Sequence, residues 1–139
     1  MTKTILAALA ICVLLPGGQA AADAPRDSIL AEFHAQAKSA NPAFTGFSAA
    51  RGEALFRATH VGGKPDTPSC TTCHGAAPQN KGRTRAGKEI DPIAVSTTPK
   101  RFTDPAEVEK WFGRNCMSVL GRECSAAEKG DFITFMMGQ

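Results

Sequence analysis

Two thiols, a two-residue spacer and an imidazole stand together at Cys70-Thr71-Thr72-Cys73-His74. That order is what covalent attachment of a c-type haem requires. The spacer lets Cys70 and Cys73 reach the two vinyl groups on one porphyrin edge and become thioethers. His74 then falls directly under the iron as its proximal ligand, the role a histidine commonly takes in haem proteins. A bare C-x-x-C is shared with zinc sites and thiol-disulfide oxidoreductases, so the rest of the chain has to decide.

The N-terminus sets the redox compartment. Lys3 precedes an apolar run from Ile5 to Leu15, then Pro16-Gly17-Gly18 and the small residues Ala20-Ala21-Ala22. These are the three parts of a secretory signal peptide. The sequence thus divides into a signal peptide over 1–22 and a domain over 23–139, with cleavage after Ala20 or Ala22. The apolar core is too short for a bilayer, and no other run approaches the ~20 apolar residues of a membrane helix. A periplasmic, soluble mature protein is expected. Cys12 lies inside the apolar core behind Ile11, where lipid modification would want a small residue, so it is lost with the signal.

Thiols outside the cytoplasm are oxidised unless occupied. Of the five cysteines, four remain after cleavage. With Cys70 and Cys73 on haem, Cys116 and Cys124 are left for a disulfide and no thiol is over. A zinc site would have to recruit this second pair, whose seven-residue spacing is unlike a zinc knuckle. A thioredoxin-like site would need a strand and helix alternation that the flanking sequence lacks.

About 117 residues after Ala22 make one domain with a modest core. Removing Lys3 from the 16 basic residues leaves fifteen against thirteen acidic ones. Two haem propionates would cancel that excess, so charge argues against a nucleic-acid partner. Frequent Gly and Pro, no Tyr and few β-branched runs fit an all-α domain with long loops, and a single C-x-x-C-H implies one haem.

The elements that must position the motif can be read in order. Ile29, Leu30, Phe33 and Ala37 predict a first amphipathic helix of about three turns, ended by Asn41-Pro42. His34, close to that stripe, reads as a partly buried surface histidine. Ser48 can cap a second helix carrying Gly52 and, four residues on, Phe56. Here the chain resembles the class I cytochrome c fold, in which a glycine and an aromatic at this spacing, upstream of C-x-x-C-H, let two helices cross closely. A turn-rich insertion follows at Thr59-His60-Val61-Gly62-Gly63-Lys64-Pro65, where His60 reads as a loop residue rather than a ligand. Asn80 to Lys88 carries four cations in nine residues, a solvated loop that can also dock an acidic redox partner. Ile90 to Arg101 is proline-rich and extended, suited to packing around a flat group.

Thr103-Asp104-Pro105-Ala106-Glu107 announces another helix, and Val108, Trp111, Phe112 and Asn115 follow at i, i+3, i+4 and i+7. Asn115 on such a stripe either caps the helix end or turns its amide toward something polar in the core. If Cys116 and Cys124 are joined, that helix must stop between them, because eight helical positions span about 12 Å and bridged Cα atoms stay within ~7 Å. Gly121 is the expected break. Ser125 and Glu128 then form a capping box for a last helix presenting Phe132, Phe135 and Met136.

The ordered set Gly52-x-x-x-Phe56, Cys70-Thr-Thr-Cys73-His74, Gly87-Lys88-x-Ile90-x-Pro92, Pro99-x-Arg101-Phe102-Thr103-Asp104, Trp111-Phe112-Gly-Arg114-Asn115-Cys116 and Gly121-Arg122-x-Cys124 resembles the sphaeroides haem protein family. The resemblance covers most of the mature chain from about Gly52 onward. It implies a class I-like, high-spin c-type cytochrome with one covalent haem c. Cys70, Cys73 and His74 would bind the cofactor, with His74 and Asn115 as iron ligands and Cys116-Cys124 as the disulfide beside them. It further implies that Asn115 leaves on reduction, opening the iron to oxygen or nitric oxide. The electron would come from a donor cytochrome, for which a di-haem cytochrome c is a candidate. An oxidoreductase handling either gas is one outcome of that chemistry. The physical logic is that a carboxamide oxygen is a hard donor for Fe(III), whereas Fe(II) prefers π-accepting diatomics. Methionine would do the reverse and make a plain electron carrier with His and Met ligands. Met117, Met136 and Met137 are the residues that reading needs, and each also reads as ordinary packing.

Overall fold

A computed structural model describes residues 20–139. Most of the signal sequence expected over residues 1–22 therefore lies outside the described residues. Five helices and one small ribbon follow in order: α1 (Ala20–Ala40), α2 (Ala49–Arg57), α3 (Thr71–His74), β1 (Gly82–Arg83), β2 (Glu89–Ile90), α4 (Pro105–Leu120) and α5 (Ala126–Met137). The architecture is all-α, as expected. None of the described helices is long and apolar enough to cross a membrane.

The fold is organised by the crossing of α2 on α5. Ser48 caps α2 through the Arg51 N–H, and Gly52 and Phe56 are the buried positions of that helix. A Cβ on Gly52 would strike the Asp131 carbonyl, so glycine is what lets the two backbones meet. The buried Asp131 carboxylate accepts from the Ser48 N–H at 2.6 Å and from Arg51 Nε at 2.7 Å. One acidic residue of α5 thereby holds the first turn of α2. The Phe56 ring lies 5.8 Å from Phe135 and 6.2 Å from Phe132.

The first helix is longer than its apolar stripe indicates. It starts at Ala20, and its buried residues Arg26, Ile29, Phe33 and Ala37 keep one helical face. Arg26 is fully buried on that face. Its guanidinium donates to the carbonyls of Pro99 at 2.6 Å and Arg101 at 3.1 Å. Counting only apolar residues stops the stripe too soon, because a hydrogen-bonded arginine extends it. His34 is exposed and set edge-on against Phe44 and Phe47, in keeping with a surface role.

The basic stretch is not a plain loop. β1 and β2 pair antiparallel, Gly82 opposite Ile90 and Arg83 opposite Glu89, around a turn closed by Thr84 and Gly87. Lys81 bonds Glu89 at 2.7 Å and Arg85 lies 3.6 Å from Asp66. Two of its cations are thus already paired, which weakens it as an acidic-partner dock.

Asp104 caps α4 by accepting from the Glu107 N–H, and Pro105 stands in the first turn. The helix ends at Leu120 against Gly121, whose φ of 71° is left-handed. The break falls where the cysteine spacing demands it. Ser125 and Glu128 form the expected capping box on α5. Glu128 also takes a forked pair from Arg122 at 2.7 and 2.8 Å. These bonds, with Ser125 and against the cost of burial, draw the Glu128 carboxyl down from 4.5 to about 2. A lowered folded pKa means a contribution that is complete above about 4.5 and lost as pH falls toward about 2. Arg122→Gln should therefore lower the melting temperature at neutral pH, with the difference from the natural chain shrinking as pH falls across that acid window, measured by thermal unfolding followed by circular dichroism.

Candidate functional site

The motif that could hold a haem sits on a single turn. Cys70 is the N-cap of α3, the His74 N–H donates to its carbonyl at 3.1 Å, and Gly75 reverses the chain at φ 70°. Ser69 pins this turn to the end of α2, its buried hydroxyl donating to the Phe56 carbonyl at 3.3 Å and meeting Thr71 Oγ1 at 2.9 Å. On the other side Gly82 of β1 runs against the Cys73 carbonyl and the His74 Cα, where a Cβ would not fit. The turn is clamped from both sides, as a cofactor-attachment site requires.

Cys70 and Cys73 are half-buried free thiols. Burial pushes the Cys70 thiol up to about 11. Its side chain packs against an apolar cluster of Phe56, Ile93, Phe135 and Met136. Burial, aided by the nearby positive charge of Arg101, lowers the His74 imidazole to about 4. At neutral pH it is therefore uncharged and carries the lone pair that a metal needs. Among the described residues nothing hydrogen-bonds that imidazole. Two paired thiols beside an apolar bed and an adjacent neutral imidazole fit haem c.

The extended segment after the ribbon forms a second wall. Ile93, Ala94 and Val95 are buried, with Ile93 and Ala94 N–H groups donating to the Pro78 carbonyl and Val95 to that of Met136. Arg101 Nε donates to the Pro92 carbonyl at 3.1 Å and its NH2 to that of Asp91 at 2.9 Å. Together with Arg26 it staples this loop from two sides. Phe102 has φ 61°, an outlying conformation for a bulky residue, and its ring lies 6.2 Å from Phe132. Sequence reasoning did not single out Arg26 or Asp131. The signal for Arg26 was its place on the helical face of Ile29, Phe33 and Ala37.

Asn115 corrects two expectations. It does not cap α4, which runs on to Leu120. Nor does it belong to the buried stripe, which is Val108, Phe112, Cys116 and Val119. Trp111 and Asn115 each precede a stripe residue by one, about 100° round the helix, and both are exposed. Trp111 Nε1 donates to Glu107 at 2.8 Å, and Lys110 and Arg114 flank its ring at 5.3 and 5.6 Å. No described residue hydrogen-bonds the Asn115 carboxamide.

Cys116 and Cys124 stand in disulfide geometry, with Cα atoms 5.6 Å apart. That pairing takes them away from Cys70 and Cys73, and among the described residues no group of three or more His, Cys, Asp or Glu could hold a metal ion. The zinc alternative loses its ligands. His60 sits at the end of α2, its Nε2 3.1 Å from the Leu55 carbonyl. Met136 is sealed in the core, whereas Met117 and Met137 are exposed.

Comparison with known proteins bears on this arrangement. Residues 42–136 match the family described as "Domain of unknown function (DUF1924)". The chain is 50% identical over 131 residues to the cytochrome c-type protein SHP of Cereibacter sphaeroides, covering 94% of this chain and 97% of that protein. It superposes on the structure of oxidized SHP, described as an oxygen-binding cytochrome c, with a TM-score of 0.75, at 52% identity over 82% of this chain and 96% of that one. The solution structure of cytochrome c'' from Methylophilus methylotrophus, presented with insights into haem-ligand detachment, gives 0.71 at 32% identity over 84% and 94%. Their agreement with the clamped C-x-x-C-H turn and the helical frame leads to one conclusion: the chain belongs to the SHP family of c-type cytochromes and is an all-α, mono-haem protein with covalently bound haem c.

Proposed function

We propose that this cytochrome is an exported, redox-switched gas-binding protein. Cys70 and Cys73 hold the haem by thioethers and His74 is the proximal ligand. The Asn115 carboxamide oxygen is the sixth ligand of ferric iron and withdraws on reduction. Haem c supplies an iron that cycles between Fe(III) and Fe(II) and, as Fe(II), takes oxygen or nitric oxide. The electron comes from a donor cytochrome, with a di-haem cytochrome c as a candidate. The single observation that carries the reading is the state of Asn115: an accessible carboxamide in mid-helix, without a hydrogen-bond partner among the described residues, beside the Cys116-Cys124 bridge.

The competing electron carrier with His and Met ligands is less well served by the chain. Met136 is enclosed by Phe56, Ile93 and Phe135, and Met137 lies beyond it at the helix end. Met117 is half-exposed on α4, two positions from Asn115 and so on another face.

Export to the periplasm fits the leader and the bridge, since a disulfide persists in an oxidising compartment. Pro25 adds support. Inside a helix starting at Ala20 it removes a backbone donor. After cleavage at Ala22 it falls in the first turn, where that donor is unpaired in any case.

Two measurements test this. Heme-stained denaturing gels should be positive for the natural chain and negative when Cys70 and Cys73 are both alanine; retained stain in the double variant would refute covalent attachment at this turn. Asn115→Ala should change the ferric spectrum and leave ferrous carbon monoxide binding nearly intact, while Met117→Ala and Met137→Ala leave the ferric spectrum alone. Loss of the ferric sixth ligand in a methionine variant, with Asn115→Ala silent, would move the protein to the electron-carrier reading.

A further inference from the structure

The segment between α2 and α3 completes the end of α4. A helix leaves its last four carbonyls without helical partners. Here the Met117 carbonyl accepts from the Gly121 N–H. The Ser118 carbonyl accepts from the Lys64 N–H at 2.7 Å and from Thr67 Oγ1 at 3.2 Å. The Thr67 and Ser118 hydroxyls also meet, at 2.9 Å. Gly62 and Gly63 run against the carbonyls of Ser118, Val119 and Leu120 so closely that a Cβ on either would collide. The same segment continues through Pro68, whose carbonyl accepts from the His60 N–H at 2.7 Å, into Ser69 and the attachment turn. It is therefore bonded to α4 at one end and leads into Cys70 at the other.

Ser118 follows Asn115 by three residues, so the two share a face of α4. A strap that fixes the last turn fixes how the turn before it presents its side chains. We infer that Thr67, acting through Ser118, is a positioning residue for Asn115, and that the 62–67 strap sets how firmly the carboxamide holds ferric iron. The inference rests on the reading of Asn115 as the sixth ligand. It also gives the insertion upstream of Cys70 a purpose: it carries the geometry of the attachment side across to the distal helix.

The test is azide affinity of the ferric holoprotein, because azide competes with Asn115 for the sixth position. Thr67→Val keeps the shape and removes the donor. It should raise ferric azide affinity ~3- to 10-fold, the range associated with one intramolecular hydrogen bond. In an Asn115→Ala background the same change should have no further effect. Ser118→Ala, which keeps the carbonyl acceptor, should act in the same direction and less strongly, and it decides the matter if Thr67→Val does not accumulate. An equal rise with and without Asn115 would mean general loosening and would overturn the inference. So would unchanged affinity in both strap variants when Asn115→Ala alone raises it. If Asn115→Ala changes neither spectrum nor azide affinity, the ligand assignment fails and the inference falls with it.

Discussion

The rest of the fold depends on an absent side chain, the missing Cβ of Gly52 where α2 meets the Asp131 carbonyl of α5. Adding even a methyl there would force the helices apart, and interiors packed like crystals have little slack to absorb that. The consequences run along α2. Its first turn is fastened to Asp131, its last turn delivers Phe56 into the aromatic cluster, and the Phe56 carbonyl receives Ser69 next to Cys70. The place of the attachment turn is thus set by a backbone contact eighteen residues earlier.

The other side of the molecule is held by different means. Phe112 of α4 lies 5.6 Å from Phe132 and 6.4 Å from Phe33, edge to face in both cases. Lys129 pairs with Glu109 and covers the Phe33 ring. The end of α4 is bounded by Gly121, the Cys116-Cys124 pair and the Arg122-Glu128 fork. In the proposed mechanism this division is functional. His74 sits on a turn clamped from both sides, as a permanent ligand should, while the Asn115 carboxamide has no hydrogen-bond partner among the described residues. As a ligand of the iron, a hard carboxamide with no competing hydrogen bond of its own would follow the preference of the metal, binding Fe(III) and releasing Fe(II).

Much of this was legible in the residues because its signals are local. The C-x-x-C-H string, the Asp104-Pro105 start and Ser125-Glu128 box, and the Gly121 stop all lie within a few residues of what they determine. The cysteine spacing also required a helix break before the break was seen. What escaped the sequence depends on contacts across the chain. Asn115 counts as stripe at i+7 from Val108, yet the true stripe advances through Phe112 and Cys116 and leaves Asn115 to one side. The small ribbon of β1 and β2 has only two residues per strand, too few for alternation to show. Gly62-Gly63 announces a turn, but nothing near it says that the end of α4 will lie against it.

The central claim is that reduction leaves the distal position open, and the kinetics of carbon monoxide binding to the dithionite-reduced natural protein test it most directly. The account predicts a high-spin ferrous spectrum and a binding rate that rises in proportion to carbon monoxide concentration, since nothing has to leave first. A low-spin ferrous spectrum, with a rate that levels off at the dissociation rate of a resident ligand, would contradict it.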